Sequence, residues 1–140
     1  MFSRIVEIRS IRDQKARLSE RERELSMPML EDFSVINRIR EYFHQKYGMG
    51  HSRKSASQIR RKFTFVVVAL YSPTVLADGR MPKGIRDKLT SALKLNSPSS
   101  VSHMCAEMWL WYNQYGDYNK EINEAFSYVV GRLRVDGYLK

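Results

Sequence analysis

"QIRRKFTFVVVALYSP", residues 58–73, decides the fold. Val66, Val67 and Val68 favour a strand, because branching at Cβ suits a pleated surface, whereas Ile59, Phe63, Val67 and Leu70 recur at helical spacing. The rest of the chain offers no second strand to pair with this one, and an isolated strand has no stable partner. The stretch therefore reads as a helix ended by Pro73, and the chain as all-α. Its apolar run, residues 63–71, is too short for the roughly 20 residues that a bilayer core demands. Arg60, Arg61 and Lys62 precede it, so it reads as core rather than membrane.

Working outward, residues 1–25 place Phe2, Ile5, Ile8 and Ile11 three apart and then become mostly charged. This is an amphipathic helix with a solvated second half. Such a basic arm would lie on DNA, lock into a neighbouring subunit, or simply stand in solvent. Ser26 reads as a cap with Pro28 near the first turn of the next helix, where Glu31 and Asp32 favour the positive end. Leu30, Phe33, Ile36, Ile39 and Phe43 keep helical spacing up to Tyr47, and Gly48 supplies a left-handed stop. Residues 48–57, "GMGHSRKSAS", read as a loop. Beyond Pro73, "TVLADGRMPKG" reads as a second loop with a turn at Asp78-Gly79. Ile85, Leu89, Ala92 and Leu93 line a helix ending around Leu95. Asn96 or Ser97 caps the following helix, Pro98 opens it, and Val101, Met104, Met108, Trp109, Tyr112 and Tyr115 form its apolar stripe. Asp117 caps a last helix carrying Tyr118, Ile122, Phe126, Val129, Val130 and Leu133. The expectation is about six helices: a charged helical arm over 1–27 and one compact domain over 28–140.

The chain has 140 residues, 43% of them apolar, enough for one domain with one core. A formal charge of +9 and a pI near 9.8 favour an anionic partner such as nucleic acid. The charge is uneven: residues 1–62 carry +7, 63–95 carry +3, and 96–140 carry −1. The single cysteine, Cys105, has no internal disulfide partner, and its neighbours Met104, Ala106 and Met108 suggest an apolar helix face. That fits a reducing cytoplasm. The start, Met1-Phe-Ser-Arg, shows no secretory signal pattern.

Residues 84–115 read as two helices joined by a short corner. A helix-turn-helix needs such a corner so that one helix braces on the DNA backbone while the next offers its first turn to base edges. Ser99, Ser100, Ser102 and His103 would face solvent there, where hydroxyls and an imidazole bond phosphates or base edges. Arg80, Lys83, Arg86, Lys88 and Lys94 lie just before the corner and would hold phosphates beside the positive helix end. The pattern also departs from the common one. Thr90 stands where a small residue is usual and Lys94 where glycine is. The link from Leu95 to Val101 is one residue long for the motif. The proposed reading helix has no Arg or Lys in its first turns, although Arg against guanine is the commonest specific contact. An ordinary corner between core helices is the competing reading.

"ALYSPTVLADGRMPKGIRDKLTSAL", residues 69–93, followed by "SVSH", is similar to small proteins of gut-bacterial phages and mobile elements. "SSVSH" resembles the opening of recognition helices in bacterial regulators, and the corner resembles helix-turn-helix domains of phage packaging and regulatory proteins. The resemblance spans roughly residues 63–130. It implies DNA binding and a phage or mobile-element setting, and names no activity.

A second basic site is "HSRKSASQIRRK", residues 51–62, with five cations and no acid. Arg53, Lys54, Arg60, Arg61 and Lys62 would each add about one unit to the salt slope of DNA binding. The aromatic run "MWLWYNQYGDY", residues 108–118, reads as core or subunit interface before it reads as a stacking platform for bases. His44, His51 and His103 share no metal-ligand spacing with one another or with Cys105, no glycine-rich phosphate cradle appears, and no serine sits in an elbow motif. The chain therefore reads as no enzyme, with no metal and no cofactor. The functional expectation is a cytoplasmic, homo-oligomeric protein, in a bacterium or an infected cell or carried in a virion, that binds double-stranded DNA mainly through phosphates and contacts no membrane. It would serve as a regulator or packaging-type recognition factor. The alternative is a phage assembly or virion protein working through protein interfaces with phage or host partners.

Overall fold

The second half of the stretch at 58–73 is apolar on every side, and a helix of that kind must be buried all round. The computed structural model, which describes residues 1–77, 80–95 and 97–140, builds the fold on this demand. Residues Arg53–Tyr71 form one helix, α3, in which Phe63 to Val68, Leu70 and Tyr71 are buried. Around it pack α2 (Val35–Tyr47), α4 (Pro73–Leu76), α6 (Pro98–Gln114) and α7 (Gly116–Val135). Helix α5 (Lys83–Ala92) docks on α6 through Ile85 and Leu89, and α1 (Phe2–Ser26) stands at the N-terminus. Among the described residues there are seven helices and no strand, so the all-α expectation holds; the one-turn α4 lies in what reads from sequence as a loop. The main core joins α2, α3, α5, α6 and α7, and a smaller cluster gathers Phe65, Met108 and Ile122.

Helix α3 begins earlier than the loop reading of 48–57 allows. Ser52 caps it, its side chain accepting from the Ser55 amide at 3.1 Å, so residues 53–57 are already helical. Gly50 makes this start possible. Its φ is +87°, and a Cβ there would lie 2.7 Å from the Ala56 backbone nitrogen, so only glycine fits between loop and helix. Thr64, buried among the apolar residues, donates its hydroxyl to the Arg60 carbonyl at 2.9 Å.

The second helix begins later than the Ser26 and Pro28 signals suggest. Helix α1 runs through Ser26, and residues 27–34 form a non-helical strap, extended at Met27 and ending in a turn at Phe33 and Ser34, instead of a first helical turn. The strap is held by the C-terminal end of α3: the amides of Met29 and Leu30 both donate to the Leu70 carbonyl, at 2.9 and 3.2 Å. Carbonyls in a last helical turn lack partners of their own, and this one recruits the strap. Tyr71 donates its hydroxyl to the Asp32 carbonyl at 2.5 Å. Asp32 spends its carboxylate on Ser34, accepting from the amide at 2.9 Å and the hydroxyl at 2.7 Å, and thereby sets the turn before α2 rather than a helix start. Near α7, Tyr115 takes the cap position and Asp117 lies within the first turn, two places past the cap it was expected to be.

After α5 the chain stops its helix over residues 93–95. The Lys94 amide donates to the Ser91 carbonyl at 3.2 Å and the Leu95 amide to the Thr90 carbonyl at 3.0 Å, the paired bonds of a Schellman stop. Lys94 itself has φ +56°, a left-handed conformation in a residue with a Cβ. The position expected to want glycine thus has glycine's geometry without glycine. Ser97 then caps α6, accepting from the Ser99 amide at 3.3 Å. The turn expected at Asp78-Gly79 and the capping alternative at Asn96 lie outside the described residues.

The C-terminus is tied to α2 by charge. Tyr42, buried, donates its hydroxyl to the Asp136 carboxylate, and Arg38 reaches the same carboxylate at 3.4 Å while pairing with Glu41 at 2.7 Å. The Tyr42 bond, with the nearby Arg38 and Arg132 charges, holds the Asp136 carboxyl below its ordinary range.

Two outcomes are expected. Lys94→Gly relieves the left-handed strain and raises unfolding stability by up to about 1 kcal/mol, read in urea denaturation. A carboxyl depressed in the folded state contributes stability that is present above its unfolded value, near pH 4, and is lost as pH falls through the folded value. Asp136→Asn therefore lowers stability at neutral pH and flattens the acid-side loss between them.

Candidate nucleic-acid interface

Two cationic segments far apart in sequence meet on one side of the molecule. Arg60 and Lys94 line a groove of about 380 Å³ together with Arg40 and His44 of α2. Arg40 also lines the adjoining groove, about 490 Å³, with Lys88 and Ser91 of α5. Arg40 and Ala92 line both grooves, so the two adjoin, with Arg60 and Lys94 on one and Lys88 on the other, and these four cations make up a strip. No acidic side chain among the described residues lines either groove. The guanidinium of the half-buried Arg40 lies over the Phe63 ring, 5.7 Å from its centroid, a cation–π contact at the apolar floor of the groove.

The remaining residues expected at the site fall into three groups. Arg53 and Lys54 are exposed in the first turn of α3, and Lys83 is exposed at the start of α5. Arg80 and Arg86 face a different and larger cleft, about 1090 Å³, lined also by Ser102, Trp109 and Leu110. Arg61 and Lys62 turn toward the body. Arg61 pairs with Glu107 at 3.0 Å and lies 4.7 Å from the Trp111 ring centroid, and Lys62 pairs with Glu121 at 2.9 Å. These two brace α3 against α6 and α7, and of the cations at 51–62 expected to meet phosphates, Arg53, Lys54 and Arg60 remain without an ion pair among the described residues.

On α6, Ser99, Ser102 and His103 are exposed and Ser100 is half-buried. The Ser99 hydroxyl shares a hydrogen bond with that of Ser97 at 2.7 Å. Val101, Cys105 and Met108 point the other way into the core. The start of this helix is thus open to solvent, carries short polar side chains, and is cationic only through what α5 and the corner place beside it.

The aromatic run divides. Trp109 stacks on Tyr112 at 5.4 Å, and Tyr112 on Phe65 at 5.7 Å, a ladder from the smaller core cluster to the surface. Tyr118 packs edge-on to Trp111, and burial pushes its hydroxyl up to about 12. Met108 is buried, while Trp109 is 41% and Leu110 51% exposed, so the core reading describes only part of the run.

The chemistry available here is ionic and hydrogen-bonding. Among the described residues no three His, Cys, Asp or Glu side chains come together as a metal cluster. Burial pushes the Cys105 thiol up to about 12, away from the thiolate that nucleophilic chemistry needs. No helix among the described residues is long and apolar enough to cross a membrane.

The described residues define an all-helical fold in which α5 and α6 follow one another beside grooves lined by cations. No protein-family model, curated protein or solved structure matches the chain.

Arg40 is the residue that sequence reasoning missed. Its signal was local and small: Arg40 and His44, four apart, share a polar face of a helix otherwise read for its core. Cys105 offers a direct check on the packing under this surface. In the native protein at pH 8 it stays unmodified by a thiol-reactive chromophore, and it reacts fully once the chain is unfolded in denaturant.

Proposed function

We propose that this protein binds double-stranded DNA, mainly through phosphates, with the strip Arg60–Lys94–Arg40–Lys88 as the principal contact and the α5–α6 corner working as a helix-turn-helix-like element. The observation that carries the reading is that Arg60 and Lys94, from the two cationic segments, line one groove with Arg40, which also lines the adjoining groove with Lys88, and that no acid among the described residues lines either. Backbone phosphates are the repeating anions such a strip suits, and contacts to them position a protein without reading sequence. Arg53, Lys54 and Lys83 extend the cationic edge. The exposed start of α6 adds hydroxyls and the positive end of a helix macrodipole. Its lack of Arg and Lys supports positioning over base-specific readout. A role as regulator or packaging-type recognition factor of a phage or mobile element follows from the resemblance of residues 63–130.

One observation favours the second reading, an assembly protein working through protein contacts. Trp109 and Leu110 are exposed on the rim of the cleft that holds Arg80 and Arg86, and aromatic residues with Arg are enriched at protein interfaces.

Anisotropy titrations of labelled duplex DNA between about 50 and 200 mM salt separate the two. Under the DNA reading, Arg40→Ala/Arg60→Ala/Lys94→Ala weakens binding and lowers the log–log salt slope by about 0.9 for each phosphate contact removed. Lys120→Ala, on α7 outside the strip, leaves both unchanged. Feeble binding by the wild type with no loss in the triple variant sinks the DNA reading and leaves the interface reading standing.

A further inference from the structure

Helix α1 has 25 residues and buries none of them. Its neighbour in the fold is α4, yet Ile8, Ile11, Leu18 and Leu25 are all exposed, Leu18 by 70%. Isolated helices in water are marginal, and most helical stability in proteins comes from packing an apolar face. The spacing says what kind of face this is. Met1, Ile8, Lys15 and Glu22 repeat every seven residues, and so do Arg4, Ile11, Leu18 and Leu25, the two rows alternating by three and four. Five of the eight positions are apolar and Arg4, Lys15 and Glu22 are charged, a heptad spacing of the kind by which one helix pairs with another along a seam.

We propose that α1 pairs antiparallel with α1 of a second copy of this chain, forming a two-fold dimer. Charge along the seam selects both the partner and the direction. In a parallel pair each seam residue faces its own copy, which sets Arg4 against Arg4, Lys15 against Lys15 and Glu22 against Glu22. An antiparallel pair matches one row with the other. Ile8 then faces Leu18, Met1 faces Leu25, and Arg4 faces Glu22, each twice by symmetry. Neither Arg4 nor Glu22 has an ion-pair partner among the described residues, whereas Arg21 and Arg23 pair with Glu24 and Glu20 on their own helix at 3.1 and 3.9 Å. In the same register Glu7 flanks Arg21 of the other copy. Lys15 faces Ile11 and lays its methylene stem along it. The unfavourable contact is Arg12 against Arg12 near the dyad, where both heads reach solvent.

The dimer does not depend on DNA binding, so the two proposals fail separately. Sedimentation equilibrium of the full chain without DNA gives a reversible dimer. Ile8→Lys/Leu18→Lys raises its dissociation constant by about a hundredfold or more, with far-UV circular dichroism reporting whether the body stays folded. Arg4→Glu and Glu22→Arg each weaken the dimer, and the double exchange restores it, a recovery that general loss of folding does not produce. Direction is read by cross-linking: Ile8→Cys and Leu18→Cys proteins stay uncrosslinked when oxidised apart and join when mixed, with Cys105 buried and silent. A monomer at all concentrations overturns the proposal, as does a dimer indifferent to Ile8→Lys/Leu18→Lys, a double exchange without recovery, or Ile8→Cys cross-linking with itself.

Discussion

The burial of the second half of α3 on all sides is the constraint from which the rest follows. Residues 63–71 offer no polar face, so the helix is tolerated only if others surround it, and α2, α4, α6 and α7 do so. Burying a Val, Leu or Phe side chain contributes roughly 1.5–3 kcal/mol, and this one segment places three valines, two phenylalanines and a leucine out of water. The charged first half of the same helix then emerges from the core at a fixed angle. Arg60, Arg61 and Lys62, adjacent in sequence, leave it in different directions: one to a groove, two to carboxylates on α6 and α7.

That division explains how a strongly basic chain spends its charge. Arg61 and Lys62 offset acids of the nearly neutral C-terminal third and hold helices together, as Arg38 does at Asp136. Partly exposed pairs of this sort contribute about 1 kcal/mol or less each, so their value lies more in fixing helix directions than in stability. Other cations stand on both flanks of α5. Lys88 faces the groove shared with α2, and Arg86 the cleft shared with α6.

The helices were legible in the sequence because apolar spacing is a local signal, and α2, α5, α6 and α7 begin or end within a few residues of where that spacing and the capping residues put them. Helix–strand competition at Val66–Val68 resolved correctly from the absence of a partner strand. The start of α3 was hidden because glycine and serine read as loop, while Ser52 was acting as a cap. The strap at 27–34 was hidden for a different reason: it depends on a carbonyl at Leu70, forty residues away in the chain, that sequence periodicity does not register. The same limit applies to the site. Each cationic block was visible alone, but the meeting of Arg40, Arg60 and Lys94 exists only once α2, α3 and α5 have packed, and so does the withdrawal of Arg61 and Lys62.

The strap also governs how α1 is mounted. Pro28 has a locked φ, and the residue before a proline is confined to extended backbone, where Met27 indeed lies at φ −68° and ψ 130°. One residue further on, the Met29 amide is fastened to the body. Helix α1, about 37 Å long at 1.5 Å per residue, therefore meets the body through a joint only two residues long, Met27 and Pro28, in which backbone rotation is restricted. With no buried residue of its own, the helix owes its direction to those few dihedral angles.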